Sequence, residues 1–187
     1  MTINQLYFSD EQNMLREQIR RFVEQEVVPH AEAWELDGHV PRAVLKKMGD
    51  LGFLGIRYPE EYGGSNMNTL GSVILAEELG RSTFGGFAVT VTVHTDMASP
   101  HLANFGNKAQ KDKYFPDLIA GRKICAVGVT EPDAGSDVAG IRTTAVADGN
   151  HYVLNGSKMF ITNGVKGDIY FIAAKTDTHV KGSRGIT

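Results

Sequence analysis

The chain has 187 residues, of which 42% are hydrophobic and 22% charged, so it can form one domain or two small ones around a core of useful size. Its formal net charge of -3 argues against nucleic acid as a partner, because phosphate binding requires a basic surface. The single cysteine, Cys125, excludes an intrachain disulfide and is expected to be a buried, unreactive thiol in a reducing compartment.

The chain contains no stretch with the pattern of a membrane or export segment. No run approaches the ~18 apolar residues of a membrane span. Residues 1–10 lack the charged start and the apolar core that a secretory signal requires. We therefore expect no transmembrane segment and a cytoplasmic location.

The first two thirds of the chain has the apolar spacing of helices. Ser9, with Gln12 three positions later, is typical of a capping box, and it precedes an amphipathic helix that ends near Pro29. Asn107 and Gln110 open a further helix in the same way. Other helices are predicted over residues 31–36, 41–51, 69–79 and 85–105.

Some features of this helical part allow more than one interpretation. Residues 85–105 include consecutive β-branched residues that would suit a strand, but their length and their place between helices favour a buried helix. Glu77 and Glu78 could supply a catalytic carboxylate, although a solvated helix face is the simpler interpretation. His94 and His101 lack the Cys or carboxylate pattern of a zinc site, so we expect structural or surface roles for both.

The pattern changes near Lys123, where short β-branched runs alternate with tight turns. Strands are predicted over residues 143–147, 151–154, 157–162 and 169–174. Asn155-Gly156 is a strong hairpin signal and is expected to pair the second of these runs with the third.

The predicted fold is therefore α+β. An all-α N-terminal helical domain is expected over residues 1–122, followed by the first part of an antiparallel β-barrel domain over residues 123–187. Residues 185–187 look like a strand that begins, so this second domain is expected to be incomplete.

Residues 130–137 form the candidate functional loop. The loop follows an apolar run and combines Pro132 and Gly135 with hydroxyl groups and three acidic residues. Such a loop exposes backbone N–H groups and short hydroxyls that suit a flat heterocycle or a phosphate, but an ordinary polar turn fits the same composition. The sequence contains no Rossmann fingerprint, no P-loop and no serine-hydrolase elbow.

Two motifs strongly resemble the signatures of the acyl-CoA dehydrogenases. They are VTEPDAGSD at residues 129–137 and LNGSKMFITNG at residues 154–164. Shorter matches follow the family's order and spacing over essentially the whole chain, at residues 59–64, 76–79 and 105–111. The region of residues 34–42 is most similar to the long-chain branch of the family.

The resemblance implies a helical N-terminal domain, a middle β-barrel and a C-terminal helical bundle, with FAD as the cofactor. It also implies the chemistry of fatty acid β-oxidation, in which an acyl-CoA thioester is oxidised to its trans-2-enoyl form. One carboxylate removes the α-proton while flavin N5 takes the β-hydride, and an electron-transferring flavoprotein then accepts the electrons. The full-length enzyme is expected to be a homo-oligomer, either a dimer or a tetramer.

The resemblance also assigns cofactor-binding residues in and before the first motif. Val127, Val129 and Thr130 would lie along the pyrimidine side of the flavin, where N–H groups and a hydroxyl stabilise negative charge. Gly135 would permit close approach of the backbone. Ser136 would contact both the cofactor and the CoA part of the substrate.

The second motif would supply the remaining cofactor contacts. Phe160 would lie against the isoalloxazine, the hydroxyl of Thr162 would reach the N5 region, and Ile161 is also among the implied cofactor-binding residues. Met159 would face the other side of a strand by alternation and belong to the core.

The chain departs from the family pattern at two residues and in its expected end inside the middle domain. Asp133 replaces a usual glycine, and Phe160 stands where many members have tryptophan. The base carboxylate of this family lies in the C-terminal bundle, so the resemblance places no catalytic residue and no metal ligand in these 187 residues. An acyl-CoA oxidase, in which O2 accepts the electrons, and a non-catalytic module that binds a partner are the alternative functions.

Overall fold

The computed structural model describes residues 7–180 and 182–187. The chain divides into two compact units, of which one extends to Ile124 and the other comprises Cys125–Thr187. We call them the helical unit and the strand unit. The expectation of no secretory signal rests partly on residues 1–6, which lie outside the described residues. Within the described ranges, no helix is both long and apolar enough to cross a membrane.

The helical unit contains the predicted helices. They are α1 (Asp10–Phe22), α2 (Ala31–Asp37), α3 (Arg42–Asp50), α4 (Thr69–Gly80), α5 (Gly85–Thr92), α6 (Ser99–Phe105) and α7 (Lys108–Ile119). The capping box that opens α1 is confirmed, because Gln12 N donates to Ser9 Oγ at 3.2 Å and Ser9 N donates to Gln12 Oε1 at 3.0 Å. Asn107 and Gln110 form the same reciprocal pair at the start of α7.

Residues 85–105 are helical, as predicted, but they are only partly buried. A π-helical turn, Val93–Ala98, joins α5 to α6. Phe87 and Val91 are fully buried, whereas Val89 and Met97 are exposed, so the prediction of a buried helix is confirmed in part. Uniform apolarity along a helix does not show that packing partners exist on both sides.

His94 lies within this π-helical turn and has a structural role. Its ring is buried, and Nε2 lies 3.1 Å from the carbonyl oxygen of Leu118 at the end of α7. Burial lowers the pKa of His94 to about 4, although the contact with Leu118 acts in the opposite direction. The imidazole is therefore neutral at physiological pH and contributes to packing.

The assignment of Glu77 and Glu78 to a solvated helix face is wrong for Glu78. The Glu77 side chain is 58% exposed, but that of Glu78 is only 1% exposed. Its carboxylate accepts hydrogen bonds from Arg20 at 2.8 and 2.9 Å and from Arg16 at 3.2 Å, which joins α4 to α1. Burial alone would raise the pKa of Glu78, but the hydrogen bonds from Arg20 and Arg16 lower it.

Glu78→Ala is expected to destabilise the protein by about 3 kcal/mol or more, because it leaves two guanidinium groups near the core without their shared anion. Glu77→Ala removes an exposed partner of Arg16 and is the matched control, with an expected loss below about 1 kcal/mol. Urea unfolding followed by helical circular dichroism measures both values. Equal losses for the two variants would contradict the buried role of Glu78.

The strand unit contains two separate pairs of strands in its described residues. The strands are β1 (Cys125–Gly128), β2 (Thr144–Asp148), β3 (His151–Asn155) and β4 (Ile169–Ile172). The antiparallel prediction is confirmed for β2 and β3, but β1 and β4 run parallel, with Cys125 opposite Ile169. A parallel pair needs a long connection, and residues 129–168 supply it. These described pairs do not form a closed barrel.

The hairpin predicted at Asn155-Gly156 is wrong. The turn that joins β2 to β3 lies between Asp148 and His151, which face each other in the register. The chain leaves the sheet after Asn155, and residues 157–162 form no strand. Gly156 has a different role from the predicted turn. A Cβ added to it would come within 2.3 Å of Thr143 Oγ1, so this glycine allows close packing against Thr143.

The prediction that residues 185–187 begin a strand is confirmed in part. Ile186 forms an antiparallel bridge with Lys175. Thr187 N donates to Ala174 O at 2.9 Å, and Ala174 N donates to Thr187 O at 3.0 Å. Gly185 itself belongs to a short 3-10 turn, Gly182–Gly185.

Candidate functional site

The candidate loop begins where β1 ends. Cys125 is fully buried in β1, as predicted, and Val127 is half-buried. The loop closes on itself because Glu131 N donates to Ala134 O at 2.8 Å and Ala134 N donates to Glu131 O at 3.2 Å. This tight turn fixes the path of the backbone that carries Thr130.

The carboxylate of Glu131 is the centre of the hydrogen bonds around this loop. Glu131 is only 6% exposed, and it accepts the backbone N–H groups of Arg142 at 2.6 Å and Thr143 at 2.9 Å. The ammonium group of Lys158 lies 2.8 Å from Glu131 Oε1 and also donates to the carbonyl oxygen of Val129 at 2.9 Å. A single buried ion pair thus connects the first motif to the second.

The surroundings of Glu131 keep it ionised. Burial alone would raise its pKa, but hydrogen bonds from Lys158 and from the N–H groups of Arg142 and Thr143 lower it to about 2. A carboxylate with so low a pKa is a weak proton acceptor at neutral pH. Glu131 therefore has the chemistry of a structural anion and not that of a general base.

The second motif lies beside the first, although it forms no strand there. Met159 N donates to the carbonyl oxygen of Thr130 at 3.0 Å. At the other end of the segment, Asn163 Nδ2 donates to the carbonyl oxygen of Cys125 at 2.9 Å. Residues 158–163 are therefore attached at both ends to β1 and its loop.

The residues of the second motif that the sequence singles out differ in exposure. Phe160 is 86% exposed and has a φ of 56°, a conformation that is uncommon for a bulky residue. Ile161 and Thr162 are half-buried. Met159 is also half-buried, and the alternation argument for a core position fails because the segment is not a strand. An exposed aromatic ring in a strained conformation is a common feature of binding sites.

The residues singled out in the first motif are accessible. Val129 and Thr130 are half-buried, whereas Gly135 and Ser136 are exposed. A Cβ added at Gly135 would lie in open space, so a ligand can approach the backbone there. Together with the second motif, these residues form an open surface with an aromatic ring and several hydroxyl groups.

Sequence reasoning missed the residues that hold the two motifs together. Glu131, Lys158 and Asn163 all lie inside the quoted motifs but were given no role. The available signal was the single basic residue of the second motif, Lys158, beside the three acidic residues of the first motif, of which Glu131 is one. Within the described part of the chain, no group of three or more His, Cys, Asp or Glu side chains could hold a metal ion.

Two family models match almost the whole chain. The model for the acyl-CoA dehydrogenase N-terminal domain matches residues 9–122, and the model for the acyl-CoA dehydrogenase middle domain matches residues 126–187. The chain belongs to the acyl-CoA dehydrogenase family.

Individual relatives agree with this assignment. The mitochondrial long-chain specific acyl-CoA dehydrogenase of Mus musculus is 40% identical over 93% of this chain and 40% of its own length. The short-chain specific acyl-CoA dehydrogenase of Clostridium acetobutylicum is 41% identical over 95% of this chain and 46% of its own. Long-chain and short-chain relatives are thus about equally similar.

A solved structure of a relative holds the cofactor implied by the motifs. The acyl-CoA dehydrogenase of Bacillus anthracis, complexed with FAD, is 38% identical with a TM-score of 0.83, over 95% of this chain and 31% of that one. The chain therefore spans less than half the length of the relatives described here.

Glu131→Gln tests the ionised state of Glu131 through the pH dependence of stability. Because folding lowers the pKa of Glu131 from 4.5 to about 2, its contribution is fully present above about pH 4.5 and is lost as the pH falls towards 2. The variant is expected to be less stable than the natural protein by about 2 kcal/mol at pH 7, and the gap should narrow below pH 4.5.

Urea midpoints of both proteins between pH 7 and pH 3 measure this difference. Asp133→Asn removes a carboxylate from the same loop that is 66% exposed, and its difference from the natural protein should stay small throughout. A stability difference between Glu131→Gln and the natural protein that does not change with pH would show that folding does not lower the pKa of this carboxyl group.

Proposed function

We propose that this chain forms the flavin-binding wall of an FAD-dependent acyl-CoA dehydrogenase, which oxidises an acyl-CoA thioester to trans-2-enoyl-CoA. The observation that carries the proposal is the hydrogen bond from Met159 N to Thr130 O, because it sets the exposed ring of Phe160 close to the candidate loop. Membership of the acyl-CoA dehydrogenase family supports the same conclusion.

The residues present fit a flavin. An isoalloxazine is a flat ring system with one polar edge, and it needs an accessible aromatic or apolar surface beside hydrogen-bond donors. Phe160 offers the surface, and the hydroxyls of Thr130, Ser136 and Thr162 have no hydrogen-bond partner among the described residues. The open space at Gly135 leaves the backbone accessible to the cofactor.

Each residue has a separate role in the proposal. Val127, Val129 and Thr130 would bind the pyrimidine side, where N–H donors stabilise negative charge. Bound FAD would supply the acceptor for the hydride that leaves the β-carbon of the substrate.

The second motif and the end of the loop complete this wall. Phe160 and Ile161 would lie against the ring system, and the hydroxyl of Thr162 would donate to its N5 region. Ser136 would bind both the cofactor and the CoA part of the substrate, near the backbone of Gly135. These side chains orient the cofactor and limit the access of water to it.

We assign the general base to none of these residues. The base must accept the α-proton at neutral pH, so its carboxylate needs a pKa closer to 7. Glu131 and Glu78 are buried, but cationic partners lower the pKa of both. The proposed reaction thus requires a carboxylate other than these two.

The wider assignments are part of the same proposal. We propose that residues 1–122 form the helical N-terminal domain and residues 123–187 part of the middle β-barrel. An electron-transferring flavoprotein is the proposed electron acceptor, and the complete enzyme is proposed to be a homo-oligomer. A cytoplasmic location stays a prediction, since the mouse relative is mitochondrial.

The test is to express the protein from its complete gene and to look for bound flavin. We expect a yellow protein, or an apoprotein that binds added FAD, whose visible absorption bleaches on anaerobic addition of one or more acyl-CoA esters of a chain-length series. A protein that stays colourless with added FAD would rule out the proposal. Rapid peroxide formation with O2 as the sole acceptor would instead identify an oxidase.

Thr162→Val tests the hydroxyl beside the proposed N5 region. The variant keeps the shape of the side chain but loses one donor to a developing charge, so flavin reduction is expected to slow by about 10- to 100-fold. Stopped-flow absorbance with the best acyl-CoA measures this rate. Thr178→Val removes a hydroxyl from an exposed position outside both motifs and should keep the natural rate.

A further inference from the structure

We infer that Lys158 and Glu131 are positioning residues for the flavin site, and that their ion pair sets the separation between Thr130 and the segment that carries Phe160 and Thr162. The inference rests on the proposed function, because it assigns a role to residues that would support the cofactor without touching it. The evidence lies in the order of the contacts along the two motifs.

Consecutive residues of one motif bind consecutive residues of the other. Lys158 Nζ donates to the carbonyl oxygen of Val129 at 2.9 Å and to the carboxylate of Glu131 at 2.8 Å. The next residue, Met159, donates its N–H to the carbonyl oxygen of Thr130 at 3.0 Å. The lysine therefore holds the residues on both sides of Thr130, and its neighbour holds Thr130 itself.

The second motif needs such an anchor because regular structure does not hold it. Residues 157–162 form no strand, so no ladder of backbone hydrogen bonds fixes their distance from β1. The positive φ of Phe160 and the 86% exposure of its ring give this segment little support of its own. Contacts from Lys158, Met159 and Asn163 must supply that support.

The ion pair acts on geometry and adds no net charge to the site. The Lys158 and Glu131 side chains are 10% and 6% exposed, so each is neutralised by the other in a poorly solvated position. The ammonium group of Lys158 has three N–H donors. Two of them are used, one by the carboxylate of Glu131 and one by the carbonyl oxygen of Val129. A lysine held in this way fixes two backbones and is not aimed at a ligand.

Asp133 of the same loop forms an exposed ion pair that serves as a control. Arg142 and Asp133 lie 3.1 Å apart, but their side chains are 78% and 66% exposed. An exposed pair contributes little to stability or geometry because solvent screens it. Asp133→Asn therefore changes the charge of this loop without loosening its attachment to the second motif.

The experiment compares Lys158→Met, Glu131→Gln and Asp133→Asn in the protein expressed from its complete gene. FAD affinity is measured by fluorescence. The absorption spectrum, the reduction potential of the flavin and its rate of reduction by acyl-CoA are measured at saturating FAD. We expect Lys158→Met and Glu131→Gln to weaken FAD binding and to slow reduction of the bound flavin by at least about tenfold, because the donors are displaced. Asp133→Asn should change neither value by more than about twofold.

Lys158→Arg provides a rescue within the same series. It keeps the cation and can reach the same acceptors, so it should restore most of the reduction rate that Lys158→Met loses. If Lys158→Met does not fold, Glu131→Gln carries the test. A slowed rate with an altered spectrum or potential in Glu131→Gln is then the expected result.

The inference fails if folded Lys158→Met and Glu131→Gln lose stability but, at saturating FAD, keep the natural spectrum, potential and reduction rate. That result would give the ion pair a purely structural role while leaving the proposed function intact. Failure of the natural protein to bind FAD is a different outcome, which overturns the proposed function and this inference with it.

Discussion

The strand unit depends on one buried carboxylate. An anion that is removed from water is stable only if several donors replace its hydration, and Glu131 has a lysine and two backbone N–H groups within hydrogen-bonding distance. All these donors must reach one side chain. Three segments therefore lie together around Glu131: the loop after β1, residues 142–143 and the start of the second motif. The electrostatic requirement thus determines the position of segments that lack regular structure.

The helical unit contains a second buried carboxylate with a different consequence. Glu78 joins α1 to α4 through Arg16 and Arg20, but those helices also bury apolar faces, including Ile19 and Leu75. Packing against the core already limits how these helices can move. Around Glu131, in contrast, the proposed cofactor-binding residues are exposed or half-buried, so polar contacts have a larger share in fixing them.

Helix caps could be predicted from the sequence, whereas contacts between distant residues could not. The capping boxes at Ser9 and Asn107 depend on residues three positions apart, and both are confirmed. The parallel pairing of β1 with β4 depends on a register across residues 129–168, which no local pattern encodes. Burial of Glu78 depends on arginines 58 and 62 positions away, so its helical spacing alone resembles that of a solvated face.

The candidate site shows the same division within two short motifs. The resemblance named residues such as Thr130 and Phe160, because a family signature marks positions that meet a ligand. It gave no role to Glu131 or Lys158, whose partners become visible only when the two motifs are seen together.

The predicted hairpin at Asn155-Gly156 was the wrong explanation for the closeness of the two motifs. In a hairpin, backbone pairing between strands would have set the position of the second motif. The Lys158–Glu131 ion pair and the Met159–Thr130 hydrogen bond connect it to the loop instead, and its backbone has a positive φ at the exposed residue Phe160. Under the proposed function, Glu131 and Lys158 would belong to the site as much as the side chains that would touch the cofactor.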